Sequence, residues 1–251
     1  MGVMASNDQL RAPAVRRAAR VLREVALEPA GISMSELSRR LDAPKSSLGD
    51  LCGVLAETGL VRRGIDGSLQ LGPKVEEFAG GFIGNSALLR VFDAECARFA
   101  AVDEHVVLLA TLVGSDSVYL AVRGNGRPQP LSLRVGMRLP AWATSTGISL
   151  LTALSDEEVE TLHAHNPPLL PSGEPPRLSD VLTQVAHARE AGVAIDEGLG
   201  DAALSGSACL VPTASTTRPV AVGLISPATP HTYARDARLV RSLASHLAGA
   251  A

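Results

Sequence analysis

From residue 13 the chain alternates apolar and polar positions with the period of a helix. Val15, Ala18, Ala19, Leu22, Val25 and Ala26 recur on one side, while Arg16, Arg17, Arg20 and Arg23 take the other. That arginine side suits either a solvated face or contact with phosphate. Glu28-Pro29-Ala30-Gly31 ends the helix. Ser33-Met34-Ser35-Glu36 reads as a capping box: the serine hydroxyl accepts from the Glu36 amide and the glutamate reaches back. The helix it starts buries Met34, Leu37 and Leu41. Asp42-Ala43-Pro44 predicts a turn, with Pro44 at the first helical position. A further helix is expected over 44–58, because Leu48, Leu51, Cys52 and Leu55 fall at i, i+3, i+4 and i+7. Gly59 stops it. Leu60-Val61-Arg62-Arg63 and Ser68-Leu69-Gln70-Leu71 read as short strands joined by a Gly64-Ile65-Asp66-Gly67 tip. Helix, tight turn, helix and ribbon is the layout of a winged helix-turn-helix, whose second helix enters a DNA groove.

The pattern then changes. Residues 73–83 predict a connecting helix striped by Val75, Phe78, Ala79 and Phe82, with Gly80-Gly81 and Gly84-Asn85-Ser86 loosening its end. The stripe suits a partner chain or ordinary core packing. A helix over 87–101 precedes strands at 105–113, 117–122 and 130–134, the last two separated by a Gly124-Asn125-Gly126 turn. Helices are expected at 145–154, 156–164, 179–191 and 233–248, with a proline-rich loop over 166–176. Strands are expected at 193–195, 208–211 and 220–225. This mixture predicts an α+β domain around an antiparallel sheet.

Composition sets bounds on this picture. A chain of 251 residues with 46% apolar content forms one large domain or two smaller ones. No apolar run approaches the ~18 residues a membrane span needs, and the start lacks the layout of a signal peptide. Cys52, Cys96 and Cys209 are odd in number and far apart, which predicts reduced thiols in a cytoplasm. The net charge of −3 divides unevenly: residues 1–75 hold 11 Lys+Arg against 8 Asp+Glu, and residues 76–251 hold 12 against 18. A mildly basic head on an acidic body suits a nucleic-acid contact at one end, with Arg62 and Arg63 of the ribbon as phosphate partners.

Leu37-Ser38-Arg39-Arg40-Leu41-Asp42-Ala43-Pro44-Lys45-Ser46-Ser47-Leu48, then Leu55, Gly59-Leu60-Val61 and Leu69-Gln70-Leu71-Gly72, resembles the DNA-binding domain of IclR-type transcriptional regulators. The resemblance covers nearly the whole chain. It implies a winged helix-turn-helix domain over 13–72, a linker helix over 73–85 that helps dimers form, and a GAF/PAS-like effector-binding domain over 86–251. It further implies double-stranded DNA and a small organic effector as partners, in a dimer or a dimer of dimers. Lys45, Ser46, Ser47, Gly49, Asp50, Arg62 and Arg63 would meet DNA. One departure stands out: the family usually has arginine where Asp50 stands and a larger polar residue at Gly49. A carboxylate repels phosphate, although Asp50 suits a cytosine amino group.

The run Gly136–Gly147 places Thr144, Ser145 and Thr146 just before a helix start, which suits either a small anion or simple capping. By resemblance it is the effector loop, so Ser145, Thr146 and Gly147 would meet the ligand. The same resemblance adds Asp196, Cys209 and Ser226 from two later stretches. For Cys209 a buried thiol is the competing reading. Trp142, the only tryptophan, suits a lid over an apolar ligand or core packing. The family's usual lysine is Ile148 here, which points to a larger, more apolar effector than a small polar acid.

No GxSxG, HExxH or phosphate loop occurs, and no histidine has a readable catalytic neighbour. No metal, cofactor or catalytic residue is expected. The alternative to a regulator is a regulator-derived protein that has left DNA and acts as an enzyme or ligand-binding protein on a fairly apolar small molecule.

Overall fold

The computed structural model describes residues 12–98, 105–124, 133–165, 176–196, 204–212, 218–227 and 233–248. The chain divides into two compact units, residues 1–85 and 86–251.

In the first unit, α1 (Pro13–Leu27), α2 (Met34–Leu41) and α3 (Lys45–Glu57) precede the antiparallel pair β1 (Val61–Arg63) and β2 (Leu69–Leu71), and α4 (Lys74–Asn85) follows. Val21, Val25, Ile32, Leu37, Leu41, Leu48, Cys52, Leu55, Val61 and Leu69 form one buried core. The cap of α2 is half of the predicted box. Ser33 Oγ accepts from the Glu36 amide at 3.2 Å. The Glu36 carboxylate turns instead to Arg39 and Arg40, at 2.9, 2.6 and 2.8 Å, because two cations outcompete one amide. Pro44 precedes α3 rather than opening it. Its ψ of 137° is extended, and its carbonyl accepts from Leu48.

The second unit opens with α5 (Ala87–Arg98) and holds a six-stranded antiparallel sheet in the order β5-β4-β3-β8-β7-β6. Its strands are β3 (Val106–Val113), β4 (Asp116–Arg123), β5 (Arg138–Pro140), β6 (Ala194–Asp196), β7 (Leu204–Leu210) and β8 (Val220–Pro227). Its other helices are α6 (Ser145–Leu151), α7 (Asp156–His165), α8 (Leu178–Ala191) and α9 (Tyr233–Leu247). The fold is therefore α+β.

Side chains alternate across the pleat. Val107, Leu109, Val222 and Leu224 pack against Phe92 of α5 and Val240, Leu243 and Leu247 of α9. Val106, Leu108, Ala110, Tyr119 and Ala221 face the other way, toward Leu150 of α6. A third cluster joins α6 to α7 and α8 through Trp142, Ile148, Leu151, Val159, Val181 and Val185.

The strand predicted over 130–134 is not seen at Leu133 and Arg134, and residues 130–132 lie outside those described. The edge strand is β5 instead, three residues ending in Pro140, too short for period-2 reading. Asn125 and Gly126 of the predicted turn, residues 99–101 of the predicted helix and 166–175 of the predicted loop also lie outside the described residues.

Candidate functional site

The first candidate surface is on α3. Its buried side is Leu48, Cys52 and Leu55. Ser46, Ser47, Asp50 and Glu57 are exposed on the helix, and Val54 is 56% exposed. Gly49 is half-buried, and a Cβ built there meets nothing within 4 Å. Lys45 Nζ donates to Ser35 Oγ at 2.8 Å, so its ammonium is tied to α2. Arg62 and Arg63 are exposed on β1, paired with Gln70 and Leu69 of β2. The ribbon tip is held by Asp66, which accepts from the Ser68 amide at 3.0 Å and its hydroxyl at 2.7 Å. Those bonds hold the Asp66 carboxyl below its ordinary range.

Arg39 and Arg40 are engaged elsewhere. Arg40 reaches Glu24, Glu28 and Glu36. The hydrogen bonds from Arg39 and Arg40 bring the Glu36 carboxyl down to about 2. Its ion pairs are complete above the ordinary carboxylate range and are lost as pH falls toward about 2. The pairs of Arg40 with Glu24 and Glu28 bind α1 to α2 and so support the platform that presents α3. Val54 was not singled out in the sequence. Its position i+7 from Ser47 was the available signal.

The second candidate is a polar seam between α6 and the sheet. Thr144 caps α6: its Oγ1 accepts from the Gly147 amide at 3.0 Å. That bond satisfies one of the first-turn amides that would otherwise face a small anion. Gly147 lies directly against the backbone of Ala141, with no room for a side chain. Ser145 and Thr146, 5% and 1% exposed, lie over glycines of the sheet. A Cβ built on Gly206 would sit 2.6 Å from Ser145 Oγ, and one on Gly223 the same distance from Thr146 Cγ2. Asp196 flanks Gly206 from the neighbouring strand, its Cβ 3.6 Å from that built position.

The Thr146 hydroxyl is 3.2 Å from Ser117 Oγ and 3.3 Å from Thr144 Oγ1. It also bonds the Tyr119 phenol, whose ionisation is pushed up to about 12 chiefly by burial, with the Asp196 charge adding to the rise. Ser117 and Tyr119 were missed in the sequence because they lie within a run of β residues with no motif around them.

The structure therefore brings Ser145, Thr146, Gly147 and Asp196 together. It does not bring Cys209, Ser226 or Trp142 to them. The register pairs Gly206 with Ile225 and Ala208 with Gly223 on the α6 face, so Cys209 and Ser226 point to the α9 face. Cys209 Sγ donates to the Gly192 carbonyl at 3.2 Å, and burial pushes its thiol up to about 11, which leaves it a protonated packing group. Ser226 Oγ donates to Asp236 Oδ2 at 2.8 Å, while His105 Nε2 lies 2.9 Å from Asp236 Oδ1. Trp142 packs between α6, α7 and α8, and its Nε1 is buried without a partner among the described residues.

Comparison with known proteins places both units in one context. A family model described as the IclR helix-turn-helix domain matches residues 14–64. The chain is 28% identical over 184 residues to the HTH-type transcriptional regulator TtgV of Pseudomonas putida, covering 72% of this chain and 70% of that protein. The crystal structure of the Agobacterium tumefaciens repressor BlcR is 30% identical, with 97% of this chain and 98% of that one covered and a TM-score of 0.58. An IclR homologue of Microbacterium hydrocarbonoxydans, crystallised with 4-hydroxybenzoate, is 22% identical over 94% of this chain and 98% of its own, with a TM-score of 0.76. No helix among the described residues is long and apolar enough to cross a membrane.

Proposed function

Since the chain belongs to the IclR-type transcriptional regulators, ligand-responsive proteins that bind DNA, we propose that it reads DNA through the open side of α3 and senses an uncharged, largely apolar effector at the α6 seam. Ser46, Ser47, Gly49, Asp50 and the neighbouring Lys45 would approach base edges, with Arg62 and Arg63 on phosphates. Such work is done in the cytoplasm.

One observation carries the assignment of the effector site. Ser145 and Thr146, both hydroxyl side chains of largely buried residues, lie over Gly206 and Gly223, where the strands carry no side chain, and Asp196 flanks Gly206. Hydroxyls set over an open stretch of sheet can exchange hydrogen bonds with a ligand seated there. The chemistry of the surroundings selects the class. Among the described residues, no strand side chain on this face is cationic, and Asp196 offers only acceptors. Phenolic or alcoholic donors on an apolar frame suit this site; small carboxylates are repelled. Calorimetry is expected to show tighter binding of phenol than of glyoxylate or pyruvate. Tight binding of the two oxoacids alone would remove this reading. The effector changes DNA occupancy only by binding the DNA-competent state with a different affinity.

The linker helix supports assembly of the regulator as a dimer, or a dimer of dimers. No residue of α4 is buried, and Phe78, Phe82 and Ile83 are 59%, 60% and 51% exposed. Phe78 and Phe82 lie i, i+4 on one side, and a built Cβ at Gly80, Gly81 or Gly84 meets nothing within 4 Å, which leaves room for a second backbone. Burying one such ring is worth about 1.5–3 kcal/mol. The double change Phe78→Ser and Phe82→Ser is expected to shift the oligomer to a smaller species by light scattering at micromolar concentration. An unchanged mass would remove α4 from the interface.

A further inference from the structure

The first unit contains a cleft that the reading of α3 does not use. It has a volume of about 300 Å³ and lies between α1 and the turn into α3, lined by Arg17, Arg20, Leu41, Asp42, Ala43, Pro44, Ser47 and Leu48. Its wall from α1 presents two guanidinium groups three residues apart, which share a helix face. Arg20 Nη2 donates to the Leu41 carbonyl at 3.4 Å, so one of its five N–H groups anchors the side chain at the cleft and the others stay available. Arg17 makes no ion pair among the described residues. The opposing charge is Asp42, so the cleft carries two positive groups against one negative.

This arrangement differs from the other basic positions of the unit. Arg39 and Arg40 are consumed by Glu24, Glu28 and Glu36, and Lys45, which gives one N–H to Ser35, is not part of the cleft lining. Arg17 and Arg20 are the arginines that combine a concave site with open donors. Ser47 belongs both to the cleft and to the exposed side of α3. A polyanion lying against α3 therefore passes the mouth of the cleft.

We infer that the cleft seats one phosphate of the DNA backbone, gripped by Arg17 and Arg20, and so fixes the height of α3 over the groove. The inference rests on the DNA-binding reading above. It assigns these two arginines a positioning role: they hold the duplex and read no base. Guanidinium suits the task, because its planar fork matches the oxygens of a phosphate. It also answers the acidic character of α3. Asp50 repels the backbone, and a clamp one helix away offsets that repulsion without placing a cation on the reading side.

The test uses the full chain and fluorescence anisotropy on a duplex from the DNA upstream of its own gene, and on a scrambled duplex, across a salt series. Each phosphate neutralised contributes about 0.9 to the slope of log affinity against log salt. R17Q/R20Q is expected to lower that slope by about 0.9 on both duplexes while the ratio of the two affinities stays within twofold. R17Q alone, which spares the Arg20 anchor to Leu41, is expected to move the slope in the same direction and keeps the test valid if the double variant folds poorly. Unchanged slopes in folded variants, with wild type still binding in a salt-dependent way, would overturn the clamp and leave the regulator reading intact. A changed affinity ratio with an unchanged slope would also overturn it. A wild-type protein with no salt-dependent binding to either duplex would overturn the DNA-binding reading itself.

Discussion

Gly147→Ala is expected to destabilise the second unit by at least ~3 kcal/mol, although alanine is favoured over glycine in a free helix by about 1 kcal/mol. The reason is contact with main chain. A Cβ at this position would overlap the carbonyl oxygen, Cα and carbonyl carbon of Ala141. Backbone gives way less readily than a side chain, and strain of this kind falls in the severe tail of single substitutions. Moving Ala141 also disturbs the Thr144 cap on the Gly147 amide, itself worth about 1 kcal/mol. Urea unfolding followed by fluorescence reports the change directly, because Trp142 is the only tryptophan and packs beside Ala141. Gly53→Ala is the control. Nothing lies within 4 Å of its built Cβ, so it is expected to stabilise the first unit by roughly 0.5–1 kcal/mol. Equal and small effects at both positions would show that α6 does not rest on Ala141.

Asp236→Ala is expected to cost about 3–5 kcal/mol, the usual price of removing one partner from a buried charged network. Asp236, 2% exposed, stands in the first turn of α9 and accepts from Ser226, with His105 at its other oxygen. Ser226 Oγ is 3.2 Å from Ser205 Oγ, so one carboxylate ties α9 to three strand-side positions. Asp236→Asn keeps the shape and a single acceptor oxygen, and is expected to lose roughly half as much. A double-mutant cycle with Ser226→Ala isolates their shared part, expected at 1 kcal/mol or more. Ser226→Ala is also expected to leave phenol binding unchanged, because Ser226 points away from α6. Loss of phenol binding without loss of stability would return Ser226 to the effector site.

The first unit is easier to read from sequence than the second. Its helices are amphipathic, its breaks are marked by Pro29, Gly31, Asp42 and Gly59, and its polar sides face water. The strands of the second unit lack such contrast. Val106–Ala110 and Leu204–Cys209 are buried on both sides, and in the second even the polar positions, Ser205 and Ser207, are buried, so neither face is marked by contact with water. A one-residue error then turns a side chain to the other side of the sheet. That is why resemblance selected Cys209 and Ser226 while the α6 side is built from Gly206, Ala208, Gly223 and Ile225. The glycines carry no side chain to attract notice, yet their emptiness lets Ser145 and Thr146 approach. Trp142 was legible as an important apolar residue. Its partners on α7 and α8 are distant in sequence and were not.

The most direct test of the account is discrimination between DNA sequences by the open side of α3. Anisotropy titrations at fixed salt compare the duplex upstream of the chain's own gene with a scrambled one, for wild type and for Asp50→Ala. Wild type is expected to prefer its own duplex, and Asp50→Ala to lose about tenfold of that preference, the equivalent of ~1.4 kcal/mol at one base position. Wild-type affinities that are equal for the two duplexes and indifferent to Asp50→Ala would contradict the proposal that α3 reads DNA.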